Sequence, residues 1–226
     1  MQKKSLLSLF TIVSFFISLG VFSSCTKKDE TIIRNDLVGY WQGVLYQETS
    51  TPNHKFPFMI KIDADGRSVY GRSEIRVDNS SEYFGIMDFS GEFKNNILQY
   101  KEGSIRSEKT GAWHWCIKEA ELNYDKAKKR LSGLWETPGC NKGDIELYKL
   151  DVISKTEFCS GEEVYIEAEG KNLKWYSNDR LTNQLGAGSK FTPALKVSST
   201  YYVTQTIDGI ETISIPVSIE VRNCGN

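Results

Sequence analysis

Between residues 37 and 150 apolar and polar side chains alternate in run after run, and no window shows a sustained 3.6-residue period. That pattern limits the fold more than any other feature of the chain. Phe56, Phe58, Ile60 and Ile62 alternate with Pro57, Met59 and Lys61, so one set lines each face of a strand. Asp65-Gly66 supplies a hairpin turn into the run 69–77, because Gly accepts the positive φ that tight hairpins need. Ile86, Asp88, Ser90 and Glu92 then alternate with Met87, Phe89, Gly91 and Phe93, and Asn95-Asn96 turns the chain into 97–100. Further strands are expected over 113–124, 131–136 and 144–150, with 38–47 as the first. Eight strands joined by short turns close naturally into a meander barrel, and closure removes the two edges that a flat sheet would expose.

The 226 residues allow one or two domains at about 100–200 residues each. A change of pattern and the cysteine spacing put the join near Leu150-Asp151, giving a barrel at 37–150 and a second unit at 151–226. In the second unit Val164 and Ile166 point one way on an early strand, and Trp175 is positioned to fill a core between sheets. Ile213, Ile215, Val217, Ile219 and Val221 share one face of the last strand. This is the pattern of a two-sheet sandwich, so the expected class is all-β throughout.

Residues 1–24 read as a signal peptide: Met1-Gln2-Lys3-Lys4 is basic, 5–22 is mostly apolar, and Ser23-Ser24 precede Cys25. An apolar run of this length also suits a spanning helix, but small residues directly before a cysteine favour cleavage. Setting Cys25 aside leaves Cys116, Cys140, Cys159 and Cys224, for which three connectivities exist. Pairing within each unit gives Cys116–Cys140 and Cys159–Cys224, in keeping with the oxidising compartment that export implies. No two cysteines stand at the spacing of a zinc knot, and no metal or cofactor is expected.

Lys+Arg number 28 against 29 Asp+Glu, a net charge of -1 that falls to -3 once Lys3 and Lys4 leave with the signal. A nucleic-acid partner is not expected, since phosphate neutralisation needs a basic surplus on one face. Catalysis by a nucleophile and base has little to work with. His54 lies in a polar loop, His114 sits between Trp113 and Trp115, and neither accompanies a Gly-x-Ser-x-Gly elbow. Asp63-Ala64-Asp65-Gly66 begins like a calcium loop, but Arg72 and Ser73 stand where further ligands should follow, so it reads as the hairpin turn. Trp41, Trp113, Trp115 and Trp135 are the candidate ligand-contacting aromatics. Rings at a barrel rim stack on sugars or apolar ligands, and the competing reading is core packing.

Several motifs resemble known families. Phe22-Ser23-Ser24-Cys25 resembles a bacterial lipobox, and Thr26-Lys27-Lys28-Asp29-Glu30 is similar to the export signal of Bacteroidota-type surface lipoproteins. The resemblance implies acylation of Cys25, a tether over 25–36, and lipid anchoring in the outer membrane facing the exterior. Gly39-Tyr40-Trp41, Gly133-Leu134-Trp135 and Ile145-Glu146-Leu147-Tyr148 resemble parts of lipocalin- and avidin-like (calycin-like) barrels, which implies that Trp41 plugs the barrel floor. Cys159-Ser160-Gly161, Trp175-Tyr176, Leu185-Gly186, Phe191-Thr192-Pro193 and Thr200-Tyr201-Tyr202-Val203 resemble bacterial immunoglobulin-like modules. Together these imply a non-enzymatic surface lipoprotein with a binding or adhesion role, held to the membrane by its acyl chains and meeting an extracellular protein or glycan. A barrel that carries a small apolar or glycan ligand is the alternative, and a polysaccharide hydrolase acting through paired carboxylates stands third.

Overall fold

The computed structural model describes residues 28, 32–48, 54–78 and 82–225. The signal segment, Cys25 and most of the tether lie outside the described residues. Among the described residues, no helix is long and apolar enough to cross a membrane.

Eight strands form the first unit: β1 (Gly39–Gln47), β2 (His54–Asp65), β3 (Ser68–Arg76), β4 (Phe84–Lys94), β5 (Ile97–Lys109), β6 (Glu119–Asp125), β7 (Arg130–Glu136) and β8 (Lys142–Val152). Each pairs antiparallel with its successor, and β1 pairs with β8 from Tyr40↔Leu150 to Gln47↔Gly143, so the expected meander barrel closes. Gly66 turns β2 into β3 at φ 60°, and Asn95 and Asn96 turn β4 into β5 with both residues at positive φ, as a two-residue hairpin requires. One expectation is corrected. The alternation from Trp113 onward does not begin a strand, because β6 starts only at Glu119 and the segment 110–118 makes no ladder.

Trp41 is fully buried at one end of the barrel, and its indole Nε1 donates to the Leu37 carbonyl at 2.7 Å. Leu37 ends a single π-helical turn, Ile33–Leu37, whose Ile33 and Leu37 side chains join the barrel core. That turn closes the floor. Tyr124 meets Trp41 edge-on at 6.0 Å. Above it the lumen is packed by Phe58, Ile60, Met87, Leu122, Leu147 and their neighbours, all completely buried. Gly43 on β1 lies tight against β8: a Cβ there would lie 1.9 Å from the Glu146 carbonyl oxygen.

The second unit grows directly out of β8. The end of that strand pairs with β10, Asp151 with Glu169 and Val152 with Ala168, so a single strand serves both units. The remaining elements are β9 (Glu157–Cys159), β10 (Ile166–Glu169), β11 (Lys174–Tyr176), β12 (Gln184–Ala187), β13 (Lys190–Phe191), β14 (Ser199–Thr204), β15 (Thr206–Ile207), β16 (Ile210–Glu211) and β17 (Ile215–Arg222). Strands β12-β11-β14-β17-β9 form one sheet, and β10 with β13 extends the other from β8. Trp175 lies buried between them, stacked on Phe191 at 5.1 Å, with Nε1 donating to the Gly188 carbonyl. Ile215, Val217 and Ile219 share the inward face of β17, as alternation predicts. Tyr201 packs edge-on against Phe191 at 5.1 Å. The second unit is therefore the expected immunoglobulin-like sandwich.

The β15–β16 hairpin lies against the outer wall of the barrel. Val44, Tyr148 and Ile207 bury one another there, with Tyr46 and Ile210 at the margin. Gln42 is fully buried beside them. Its amide donates to the Ile213 carbonyl at 2.5 Å and its oxygen accepts from the Thr212 hydroxyl at 3.2 Å. Gln205 donates across the same seam to the Tyr148 carbonyl at 3.1 Å.

Candidate functional site

The barrel has one closed and one ornamented end. Its floor is sealed by Trp41 and the turn Ile33–Leu37. At the opposite end, where β1 finishes and β2 begins, the segment 110–118 crosses the mouth and is joined by Cys116–Cys140 to the turn between β7 and β8. Thr137 Oγ1 donates to the Ile117 carbonyl at 2.7 Å, giving the segment a second tie to that turn.

Trp115 faces into the mouth. A Cβ on Gly85 would come within 2.7 Å of the indole, so glycine at this position makes the room the ring occupies. Phe56 meets Trp115 edge-on at 6.3 Å, and Trp113 stands perpendicular to it at 4.6 Å between ring centroids. Tyr83 lies tilted against the outer side of Trp113 at 6.2 Å, and Lys109 reaches over the Tyr83 ring. His54 continues the chain of rings beyond Phe56. Trp113 keeps 39% of its surface exposed although its neighbours hold it on two sides.

Beneath this rim the lumen contains a buried polar group. Ser73 Oγ donates to Glu102 Oε1 at 2.5 Å, while the Lys118 backbone N–H and Nζ each lie 2.9 Å from Glu102 Oε2. Glu102 is fully buried and Lys118 is only 2% exposed. The neighbouring Tyr100 hydroxyl is held well above its usual titration range, first by burial and then by the Glu102 carboxylate. Tyr100 Oη and Trp115 Nε1 are buried without a hydrogen-bond partner among the described residues.

Two depressions lie outside the lumen. The larger, of about 870 Å³, crosses the outer wall of β4–β8. Glu119 and Glu136 face each other across β6 and β7 within it, but Glu119 is ion-paired with Lys101 and Glu136 stands opposite Lys142. Its most exposed apolar side chain is Leu134, at 66%, and the rings of Tyr100 and Trp135 are buried on the other side of the wall. The smaller, of about 560 Å³, lies between β2 and the β15–β16 hairpin and is lined by Lys55, Lys174 and Glu211 among others. Burial alone would raise the Glu211 carboxyl, but hydrogen bonds from Tyr176, Lys174 and Thr204 outweigh it and hold the group below its usual range.

The four tryptophans named from the sequence divide into two pairs. Trp41 and Trp135 are core residues, the latter 4% exposed with Nε1 donating to the Tyr46 carbonyl at 2.9 Å. Trp113 and Trp115 come together at the mouth. Cys116–Cys140 and Cys159–Cys224 are both disulfides, while Cys25 lies outside the described residues. His114 is exposed on the mouth segment rather than seated in a strand, and His54 opens β2 on the surface. Among the described residues, no group of three or more His, Cys, Asp or Glu is arranged to hold a metal ion. Sequence reasoning missed Tyr83 and the Ser73–Glu102–Lys118 group. Glu102 carried a legible signal, because it continues the inward phase of Leu98 and Tyr100 on β5. Tyr83 carried none, since its role depends on a loop meeting from elsewhere in the chain.

No curated protein and no solved structure matches the chain. Residues 150–222 match the family described as Ig-like domain CHU_C associated, so the chain consists of an eight-stranded antiparallel barrel followed by an Ig-like domain.

Proposed function

We propose that this protein is a lipid-anchored outer-membrane lipoprotein, displayed on the cell exterior, whose barrel mouth serves a non-enzymatic binding or adhesion role. The observation that carries the reading is the polarity of the barrel. The chain enters at the sealed floor, through the turn Ile33–Leu37, and the disulfide-braced aromatic segment lies at the far end. Acyl chains on Cys25 would therefore hold the floor toward the membrane and present the mouth outward, each buried CH₂ contributing about 0.8 kcal/mol of anchoring. The finer likeness to lipocalin- and avidin-like barrels has its support in Trp41, whose plugging of the floor is the arrangement that Gly39-Tyr40-Trp41 implies.

The reading in which the lumen carries a ligand receives no support, because Phe58, Ile60, Met87 and Leu147 fill that space. A hydrolase is no better supported. The facing pair Glu119 and Glu136 lies on a wall without an exposed ring, and a lysine stands beside each carboxylate.

Growth of the source cells with an alkyne-tagged fatty acid should label the full chain, and Cys25→Ser should abolish both the label and membrane retention. Protease added to intact cells should degrade the labelled chain. Protection until the outer membrane is broken would overturn outward display, and an unlabelled wild-type chain would overturn lipid anchoring.

A further inference from the structure

We propose that Trp113 and Tyr83 form a carbohydrate platform that takes a short stretch of a neutral glycan, with a sugar ring stacked on the exposed indole. This deepens the reading of the mouth as a binding end and rests on it, but it does not depend on outward display.

The first argument is exposure combined with rigidity. Tryptophan is highly buried on average, yet Trp113 remains 39% exposed. Its segment is fixed by Cys116–Cys140, by the Thr137–Ile117 hydrogen bond and by the wedge of Trp115 against Gly85. An exposed ring already fixed in place loses little conformational entropy when a ligand docks on it. Core packing explains Trp115 but leaves the outward surface of Trp113 unused.

Shape and charge then select the ligand. Trp113 meets Trp115 at 85° and Tyr83 at 56°, so the rings bound an angled notch and not a flat apolar sheet. The electron-rich face of an aromatic ring attracts the partly positive C–H edge of a puckered sugar. Lys109 lies over Tyr83 and 3.8 Å from a Glu82 carboxylate oxygen, so this cation is already offset by an acid and offers little to an anionic glycan, which favours a neutral ligand over a negatively charged one. Lys109 and the exposed His114 can hydrogen-bond hydroxyl groups beside the notch.

Area argues against a protein partner. A stable protein interface buries about 800 Å² on each side. Among the described residues, the large apolar side chains exposed at the mouth are Trp113, Ile117 and Val77, each less than two-fifths exposed, and their surface falls well short. A sugar needs one aromatic face and a few polar neighbours.

The test is native electrophoresis of the full chain in mild detergent through gels cast with soluble starch, xyloglucan, galactomannan or laminarin, with polygalacturonate as the charged comparison. Retardation is expected in at least one neutral gel. Trp113→Ala should weaken it about tenfold, the scale of one lost aromatic contact, and Trp113→Phe should restore part of it. Tyr165→Ala, which removes an exposed ring on the Ig-like domain, should leave it unchanged, and near-UV circular dichroism checks that each variant is folded. Absence of retardation in all four neutral gels overturns the proposal. So does retardation that survives Trp113→Ala, retardation by polygalacturonate alone, or Trp113-dependent capture of an envelope protein in place of every glycan. A chain that binds a neutral glycan but resists protease on intact cells would remove outward display alone.

Discussion

Glu102 is the residue that breaks its own pattern. On β5 the inward phase runs Leu98, Tyr100, Glu102, and a carboxylate in that phase must either leave the barrel or find donors within it. It finds Ser73 and both nitrogens of Lys118. Such a pair adds little net stability, because desolvating two charges offsets most of their attraction, but losing one partner is costly. Lys118→Met is therefore expected to destabilise the protein by about 3–5 kcal/mol in urea denaturation, since it strands the Glu102 charge beneath Trp115. Adding Glu102→Leu to that variant should recover most of the loss. A double variant as unstable as Lys118→Met would show that packing, and not the stranded charge, sets the cost. The sequence carries Glu102 as a charge in the inward phase of β5, but it could not name Ser73 and Lys118, which come from β3 and from the irregular segment before β6.

At the scale of elements, the barrel strands were legible because period-two alternation and local turn chemistry act over a few residues. Asp65-Gly66 and Asn95-Asn96 made the turns they announce. The segment 110–118 misled because Trp113 and Trp115 also alternate, yet there the alternation comes from two rings packed edge-on against each other on a disulfide-held crossing. β1 hid a different fact: both of its faces are buried, one by the lumen and one by the β15–β16 hairpin. The hairpin's acidic groups tie its stability to pH. Lys55 and Tyr46 hydrogen-bond Asp208 and hold its carboxyl below the usual range, and Glu211 is lowered by the donors that outweigh its burial. A depressed folded-state value contributes stability that is present above the unfolded value, about 4.3 for Glu, and is lost as pH falls through the folded one. Thermal denaturation should accordingly show the melting temperature falling below about pH 4, with a shallower fall in Glu211→Gln. An acid dependence that Glu211→Gln leaves unaltered would assign the loss to other carboxylates.

The whole molecule is two folds sharing a strand. β8 closes the barrel through β1 and then pairs with β10 of the Ig-like domain, so neither unit can lose it without opening the other. The seam adds Val44, Tyr148 and Ile207 as a small apolar core and the Gln42–Thr212–Gln205 hydrogen bonds beside it. None of this was visible as an interface in the sequence: Gln42 occupied an outward, polar position on β1, and only the arrival of a hairpin some 170 residues later turned it into a buried one. Inter-domain interfaces in a chain are commonly polar and permit relative motion. Here the shared strand and the buried amides argue for cooperative unfolding of the two units. Calorimetry at neutral pH is expected to give one transition, with calorimetric and van't Hoff enthalpies in agreement. Ile207→Asp puts a charge into the seam while leaving both main cores intact, and Gln42→Ala strips partners from the Ile213 carbonyl and Thr212 at a cost of about 1–3 kcal/mol. Combined, they should split the melting curve, with one unit unfolding before the other. Two transitions already present in the unmodified chain would instead mean that β8 transmits little between the units, and the mouth would then be carried on a barrel free to unfold independently of the Ig-like domain beside it.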